Sequence, residues 1–451
     1  MFNLEEFLLM REKRVEIQNE IIENFKNPIL VLRANYPGEE KNSFVAKYII
    51  EIIKDEILEI FNSQIMYSKK IESIEGPTYI YSINYSGKNI KKIAMEIEEL
   101  HILGRCVDID VFDNNGYPFS RKDFGGEKRQ CLLCSDMAFV CARTKKHTQK
   151  DVQIAIEKRL EEYLNSERSK VEIVSTFSNL ALKSIVLEVS ASPSFGLVSP
   201  HTNGSHEDMD FFTFIDSGFS LNSYFKKVVD AGYSPLSVDL IFKKIRFMGK
   251  IAEDNMFLAT HNVNTHKGMI FLMGITAALS AKAKYENLSF NDISSLIKEM
   301  CRDILKDFND IHKKSSLTHG EKLYIKHGVV GVRGIVKNGL DIIFNNSIEI
   351  FEKSLVSGEH INSAMIRTLI FLMSSLEDTT ILHRHDIEIL NFVKLKAKDL
   401  HLKFDNNSLD INLLTEIEKE FIEKRISPGG AADLLAITMF LYFIKPYFKI
   451  F

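Results

Sequence analysis

Apolar residues recur at intervals of three and four through FVAKYIIEIIKDEILEIF (44–61) and NIKKIAMEIEELHILG (89–104), which predicts two amphipathic helices. The second is closed by Gly104. Around them the pattern changes. NPILVLRANYPG (27–38) and TYIYSINY (78–85) are short β-rich runs, the first ending in a Pro-Gly turn. CVDIDVFD (106–113) alternates apolar and acidic residues, so it predicts a strand with two acids on one face. Helices and strands intermixed in this way predict an α+β domain with a mixed sheet over residues 1–165. The polar segment LNSERSKVE (164–172) is the candidate linker. Beyond it strand signals fade. Helical patterns at 174–189, 211–217, 235–259, 267–283, 291–308, 360–374, 386–398, 413–424 and 431–448 predict an all-α domain over residues 172–451.

Composition narrows the class. Of 451 residues, 45% are hydrophobic and 26% charged, which excludes disorder as the main state. Lys and Arg number 57 against 61 Asp and Glu, a net charge of -4. No global positive field draws this chain to nucleic acid or anionic lipid, so neither is an expected partner. Five cysteines are too few for a disulfide scaffold and fit a reduced, cytoplasmic setting. The opening MFNLEEFLLMREKR carries acids early and does not read as a signal peptide. The longest apolar run, LLAITMFLYFI (434–444), is shorter than the ~20 residues of a membrane-spanning helix. A soluble protein is expected.

Asp108 and Asp110 are the sharpest chemical feature of the first domain. Two residues apart on a strand, their carboxylates point the same way and suit Mg²⁺, a hard cation, with Asp113 as a possible third ligand. The competing reading is an exposed acidic strand face. Arg105 sits just upstream, and a Gly-rich basic loop follows with Ser120, Arg121, Lys122, Gly125, Gly126, Lys128 and Arg129. Exposed backbone N–H groups and Arg forks bind phosphate oxygens, although a solvated turn has the same composition. Cys131, Cys134, Cys141 and His147 then have the ligand types of a tetrahedral zinc site. The apolar residues among them favour a helix in which Cys is core packing, with zinc the lesser reading.

The stretch RCVDIDVFDNNGYPFSRKDFGGEKRQCLLCSDMAFVCARTKKH (105–147) resembles the signature of the citrate lyase holo-acyl-carrier-protein synthase family. An R-x-x-R-V-x-x-Q segment (Arg11, Arg14, Val15, Gln18) and a turn with Pro37, Gly38, Lys41 and Asn42 extend the likeness. The resemblance implies a nucleotidyltransferase-like domain. It would transfer a phosphoribosyl-dephospho-CoA group to a serine of the citrate lyase acyl carrier (gamma) subunit, releasing pyrophosphate. That chemistry agrees with the residues: Mg²⁺ on Asp108 and Asp110 would neutralise spreading charge, and Arg105, Arg121 and Arg129 would hold the departing phosphates.

In the second domain Glu188 closes a helix, and HTNGSHEDMDFFTF (201–214) crowds His206, Glu207, Asp208 and Asp210 at the start of the next. Acids there complement a helix dipole; Asp208 is also a candidate for a second Mg²⁺ or a ribose. The polar loop NVNTHKG (262–268) brings Asn264, Thr265, His266 and Lys267 to a helix N-terminus, an anion site. THGEKLYIKHGVVGVRG (318–334) ends with Arg333; LEDTTILHRHD (376–386) carries Asp378, His383 and Arg384; SPGGAADLLA (427–436) carries Asp433.

These motifs, in this order, resemble the triphosphoribosyl-dephospho-CoA synthase family. The likeness implies joining of ATP to 3′-dephospho-CoA with release of adenine. Severing an N-glycosidic bond builds oxocarbenium character and calls for carboxylates near the anomeric carbon. Candidates are Glu188, Asp208, Asp210, Glu253, Asp378 and Asp433, with His266 or His383 moving protons and Lys267, Arg333 and Arg384 holding the triphosphate. Phe195 stands where the family pattern has a second proline, and His261 and Asn262 stand where it has glycines. His385 and Ile335 also depart from that pattern. The whole chain therefore reads as a fused enzyme that makes a prosthetic group and attaches it. Two alternatives stand beside it: the equivalent pathway for malonate decarboxylase, and an N-terminal zinc module that only docks the carrier.

Overall fold

In the computed structural model, which describes residues 4–38, 41–126, 129–308, 311, 317, 319–405 and 411–448, α1 (Leu4–Phe25) leads into β1 (Ile29–Ala34) and α2 (Phe44–Phe61). Helix α2 spans the residues its periodicity predicts. Ser43 caps it by accepting from Ala46 N at 3.2 Å, and Ile49, Ile50, Ile53, Ile57 and Phe61 form its buried stripe. There follow β2 (Ile65–Ile71), β3 (Thr78–Ile83), α3 (Gly87–Leu100), β4 (Val107–Phe112), α4 (Ala138–Thr144) and α5 (Gln149–Val189). By contacts the chain divides into two units, Met1–Ser169 and Lys170–Phe451.

The sheet has the order β2-β3-β1-β4, and every ladder is antiparallel. The mixed sheet expected from sequence is thus corrected; alternation reports which face a residue occupies, not the direction of its neighbour. Leu30, Leu32, Tyr81, Val107, Ile109 and Val111 face α2 and α3. Ile29, Val31 and Ile80 pack on Ile21 and Ile22 of α1. Asp108 and Asp110 alternate with the buried β4 residues and remain half-exposed. Gly104 permits the tight return from α3 to β4, since a Cβ there would lie 2.1 Å from the Ile97 carbonyl oxygen.

Helix α5 runs unbroken through residues 164–172, so the candidate linker is helical. Its residues are polar but include no Gly or Pro to stop a helix. The second unit continues with α6 (Phe211–Ser220), α7 (Asn222–Gly232), α8 (Val238–Ala259), α9 (Lys267–Tyr285), α10 (Asp292–Met300), α11 (His319–His327) and α12 (Gly331–Lys337). Then come α13 (Ile348–Val356), α14 (Ile361–Ser375), α15 (Thr379–Arg384), α16 (Ile387–Asp405), α17 (Ile411–Glu423) and α18 (Gly429–Ile444). The single helix expected over 291–308 is α10 followed by a separate 3-10 turn, Ile304–Phe308. No strand lies in this unit among the described residues.

Helices α9 and α18 are buried along most of their length and form the centre around which the others pack. With its following turn, α18 covers Gly429–Phe448, which is long and apolar enough to cross a membrane; most of it is buried inside the unit. The apolar run is therefore longer than its sequence core indicated, and its partners are other helices.

Candidate active sites

Helix α3 buries two charged residues on its apolar stripe, Lys91 and Glu98. Seven residues apart, they lie on one helix face and meet the free edge of β4. Ile109 N donates to Glu98 Oε1 at 2.8 Å, and Lys91 Nζ donates to the Ile109 carbonyl at 3.2 Å. An edge strand's unpaired backbone groups are thereby satisfied by side chains. Glu98 also accepts from the Arg121 and Arg129 guanidinium groups, and Arg121 reaches Glu99 at 2.8 Å. Arg129 spans from Glu98 to Asp108, while Arg33 on β1 holds Asp110 at 2.8 Å. Burial pushes the Lys91 ammonium below its usual pKa, and the Glu98 carboxylate opposes that shift.

These side chains enclose a cleft of about 330 Å³ lined by Lys91, Glu98, Asp108, Asp110, Ser120, Arg121, Lys122, Gly126 and Arg129. The structure thus brings together Asp108, Asp110, Ser120, Arg121 and Arg129. Arg105 is not among the lining residues; its guanidinium donates to the Gln130 carbonyl. Asp113 accepts from Asn115 N and Tyr117 N at 2.9 and 2.8 Å and so shapes a turn instead of joining the pair. Lys128 lies outside the described residues. Of the upstream motif, Arg14 and Arg11 bind Glu75 at 3.0 and 3.9 Å, and Asn42 donates to Ser73 O at 2.7 Å. Those residues pin the 73–75 turn and do not enter the cleft. The ligating atoms of Cys131, Cys134, Cys141 and His147 all lie within 4.8 Å of one another.

In the second unit three acids converge. Glu188 ends α5, Asp378 precedes α15, and Asp433 lies in the second turn of α18. Asp378 accepts from Thr380 N at 2.8 Å, Ile381 N at 3.3 Å and Ala431 N at 2.9 Å, so one carboxylate caps two helices. Burial raises its pKa against those N–H donors. Burial pushes Glu188 up to about 8. Asp433 is held well above the usual carboxylate range by burial first, then by the charges of Glu188 and Asp378.

Gly268 connects this trio to a cavity. A Cβ on Gly268 would lie 2.3 Å from Asp433 Oδ2, so only glycine lets the start of α9 approach that acid. The same glycine lines a cavity of about 330 Å³ with Lys250, Glu253, Lys267 and Arg333, walled by Tyr224, Phe242 and Phe271. Lys267 pairs with Glu253 at 2.9 Å, and Asn264 accepts from Lys267 N at 3.3 Å. The Arg333 guanidinium stacks over Phe308 at 4.8 Å.

Other candidates go elsewhere. Arg384 donates to the Ser205 carbonyl at 3.2 Å and lies 3.0 Å from His206 Nδ1, away from the residues lining the cavity. His206 itself bonds Ser427 Oγ at 2.9 Å, and burial, then Arg384, lowers its pKa to about 4. His383 is exposed on α15. His266 is buried with Nδ1 2.7 Å from Ser217 Oγ and Phe214 edge-on to its ring; burial lowers its pKa to about 4. That imidazole is enclosed, and the residues lining the cavity do not include it. Asp210 caps α6, accepting from Thr213 N at 2.8 Å, and these bonds lower its pKa. Asp208 is exposed with His206 Nδ1 at 3.9 Å. Among the described residues it belongs to no group of three or more metal-ligating side chains.

Sequence reasoning missed Lys91, Glu98 and Arg33. The available signal for the first two was a charged pair on the apolar stripe of a predicted helix. It also missed the acid trio as a unit, because its members come from three distant segments.

Comparison with known proteins places each unit. Residues 2–163 match the family described as apo-citrate lyase phosphoribosyl-dephospho-CoA transferase, and residues 174–450 match that described as ATP:dephospho-CoA triphosphoribosyl transferase. "Protein CitXG" of Leuconostoc mesenteroides subsp. cremoris is 30% identical, the alignment covering 97% of this chain and 96% of the relative. "Protein CitXG" of Haemophilus influenzae is also 30% identical, over 97% of this chain and 95% of its own. A probable 2-(5''-triphosphoribosyl)-3'-dephosphocoenzyme-A synthase of Photobacterium profundum is 36% identical over 62% of this chain and 92% of its own length.

Proposed function

Because this chain belongs to the family of fused citrate lyase maturation transferases, we propose that the two cavities described above perform its two transfers, one in each unit. The protein is a bifunctional transferase that makes the citrate lyase prosthetic group and attaches it. Its substrates for the first step are ATP and 3′-dephospho-CoA. The match of residues 2–163 to the apo-citrate lyase family supports citrate lyase as the acceptor enzyme. Within apo-citrate lyase the acceptor we infer is a serine hydroxyl of the acyl carrier (gamma) subunit.

In the synthase unit the triphosphate of ATP is read by Lys267, Lys250 and Arg333, with Phe242 and Phe271 as the apolar wall. Glu188, protonated at neutral pH because of its burial, is the proton donor to the departing adenine. Asp433 lies beside it and beside Gly268 at the cavity wall, placed to stabilise positive charge at the sugar carbon once ionised. Asp378 is a positioning residue that holds α15 and α18 together.

In the transferase unit the leaving pyrophosphate is met by Arg121, Arg129 and Lys91, and Ser120 and Gly126 line the approach. Asp108 and Asp110 would hold Mg²⁺; they are hard oxygen donors on one strand face, and Mg²⁺ commonly takes one or two carboxylates plus substrate phosphates. Bound there, the ion would supply charge neutralisation at the phosphorus under attack. Arg33 holds the Asp110 carboxylate and Arg129 that of Asp108.

The observation that carries this reading is a cleft of acids and cations in the transferase unit and, in the synthase unit, a cation-bearing cavity whose Gly268 wall abuts the acid Asp433. The test is mass spectrometry of apo carrier subunit incubated with ATP, 3′-dephospho-CoA, Mg²⁺ and the protein. A covalent mass gain on the carrier together with free adenine is expected. Adenine without a mass gain on a competent carrier would sink the acceptor assignment.

A further inference from the structure

We propose that Cys131, Cys134, Cys141 and His147 form a structural zinc site that fixes the segment carrying Arg129 beside the transferase cleft. The four ligating atoms lie within 4.8 Å of one another. Cys134 Sγ is 3.5 Å from Cys141 Sγ and 3.3 Å from His147 Nε2. Tetrahedral zinc with Zn–S near 2.3 Å places its ligand atoms about 3.8 Å apart, so these spacings match one ion at the centre. Cys141 is buried and the other three ligands are half-buried, as a closed four-ligand site requires.

The surrounding bonds are those of a metal knuckle. Leu133 N points at Cys131 Sγ at 3.5 Å, an N–H donor to a sulfur that would carry thiolate charge. Cys131 N donates to the Asp136 carbonyl at 2.6 Å, which closes the 131–136 turn that carries the first two cysteines. Lys146 pairs with Asp136, whose carboxylate also lies 3.8 Å from Cys134 Sγ. Three thiolates, a neutral imidazole and Zn²⁺ leave one net negative charge, and Lys146 is beside it. The ligands come from three pieces of chain: the 131–134 turn, α4, and the segment entering α5. Few apolar contacts tie these pieces together, since Leu133, Met137, Phe139 and Val140 are exposed. A metal supplies the cross-link that a small core does not.

The clamp acts two residues away. Arg129 O accepts from Ala138 N at 2.9 Å, and Gln130 is bridged to Met137, so the knuckle and the arginine share one hairpin. Arg129 is the residue that joins Asp108 to Glu98 across the cleft. Loss of zinc is therefore expected to weaken carrier attachment and spare adenine release.

The full chain, purified without chelator, is assayed by elemental analysis for zinc and by thiol titration. About one zinc per chain is expected, with Cys131, Cys134 and Cys141 protected until a chelator is added; Cys106 and Cys301 are buried and titrate only on denaturation. Cys134→Ser and His147→Ala are each expected to lose the metal, and the metal-stripped chain reloaded with Co²⁺ to show thiolate-to-cobalt charge-transfer bands. Cys134→Ser should cut carrier attachment at least tenfold with adenine release unchanged. Asp108→Asn should keep its zinc, which separates a failure of this site from a failure of the catalytic reading. If the variants do not fold, zinc content and the cobalt spectrum of the parent chain decide. Absence of zinc with Cys131 and Cys134 titrating in the folded chain, a mass two hydrogens light from a disulfide, or full zinc retention in Cys134→Ser would each overturn the proposal.

Discussion

Glu98 is the residue on which the transferase cleft turns. One carboxylate satisfies the edge of β4 and anchors both Arg121 and Arg129. Glu98→Gln keeps an oxygen for Ile109 N but leaves two half-buried guanidinium groups short of a counter-charge. A loss of about 3 kcal/mol in stability is expected, the scale of breaking a buried ion pair from one side. Attachment should fall by at least tenfold, and urea denaturation alongside a carrier mass assay reads both. Asp108→Asn, by contrast, should abolish attachment with little change in stability and leave adenine release intact. Glu188 makes a different kind of prediction. Its carboxyl is pushed from 4.5 to about 8 by burial, so between those values the folded state holds a proton that the unfolded state has lost. Stability from this group is fully present below pH 4.5 and declines as pH rises towards 8. At pH 7 the decline is about 3 kcal/mol relative to pH 4.5 if the whole shift is realised. Glu188→Gln should flatten the fall in melting temperature between pH 6 and pH 8 and abolish adenine release. A residual slope is expected from Asp433, whose pKa is raised in the same direction. An unchanged slope in the variant would show that Glu188 is ionised at neutral pH.

At the scale of elements, the junction of the 261–266 loop with α9 sets the synthase cavity. His261 and Asn262 both adopt left-handed backbone, with φ of 53° and 69°. Glycines at those places in the family pattern therefore answer a conformational demand, which Asn meets readily and His at a cost. His261→Gly is expected to raise stability by up to about 1 kcal/mol, read as a shift in urea midpoint, with adenine release unchanged. Gly268→Ala should do the opposite: its methyl would meet Asp433 Oδ2 and should slow adenine release at least tenfold while attachment of supplied intermediate continues. These elements also show what a sequence exposes. Helix α2 is legible end to end, because its apolar period and the Ser43 cap agree. Strand β4 is legible because alternation continues over six residues and places Asp108 and Asp110 together. Strand β2 is not, since an edge strand bearing Lys69 and Lys70 is mostly exposed and lacks a clean period. Helix α15 is hidden because its six residues begin at an Asp-Thr-Thr cap that reads equally as a loop. Arg105 and Arg384 look like phosphate ligands by composition, but a guanidinium that bonds a nearby carbonyl is indistinguishable in sequence from one that faces a cavity.

Across the whole molecule, two families of transferase occupy one chain and each unit holds its own acid-and-cation cavity. The product of the synthase is the substrate of the transferase, so fusion keeps the second site near every molecule the first releases. Nothing in that arrangement requires the intermediate to stay bound. A chain carrying Asp108→Asn should make the intermediate and fail to attach it; a chain carrying Glu188→Gln should attach supplied intermediate and fail to make it. Mixed, the two variants are expected to restore modification of the carrier, since the intermediate can diffuse between chains. At low protein concentration the mixture should lag behind the parent chain, and a large excess of the Glu188→Gln variant should close the gap by raising the number of accepting sites. Time courses by carrier mass spectrometry at several dilutions distinguish the cases. If the mixture releases adenine at the rate of the first variant and yet the carrier stays unmodified at every dilution, the intermediate does not leave the chain that made it, and transfer between the two cavities must then occur within a single molecule.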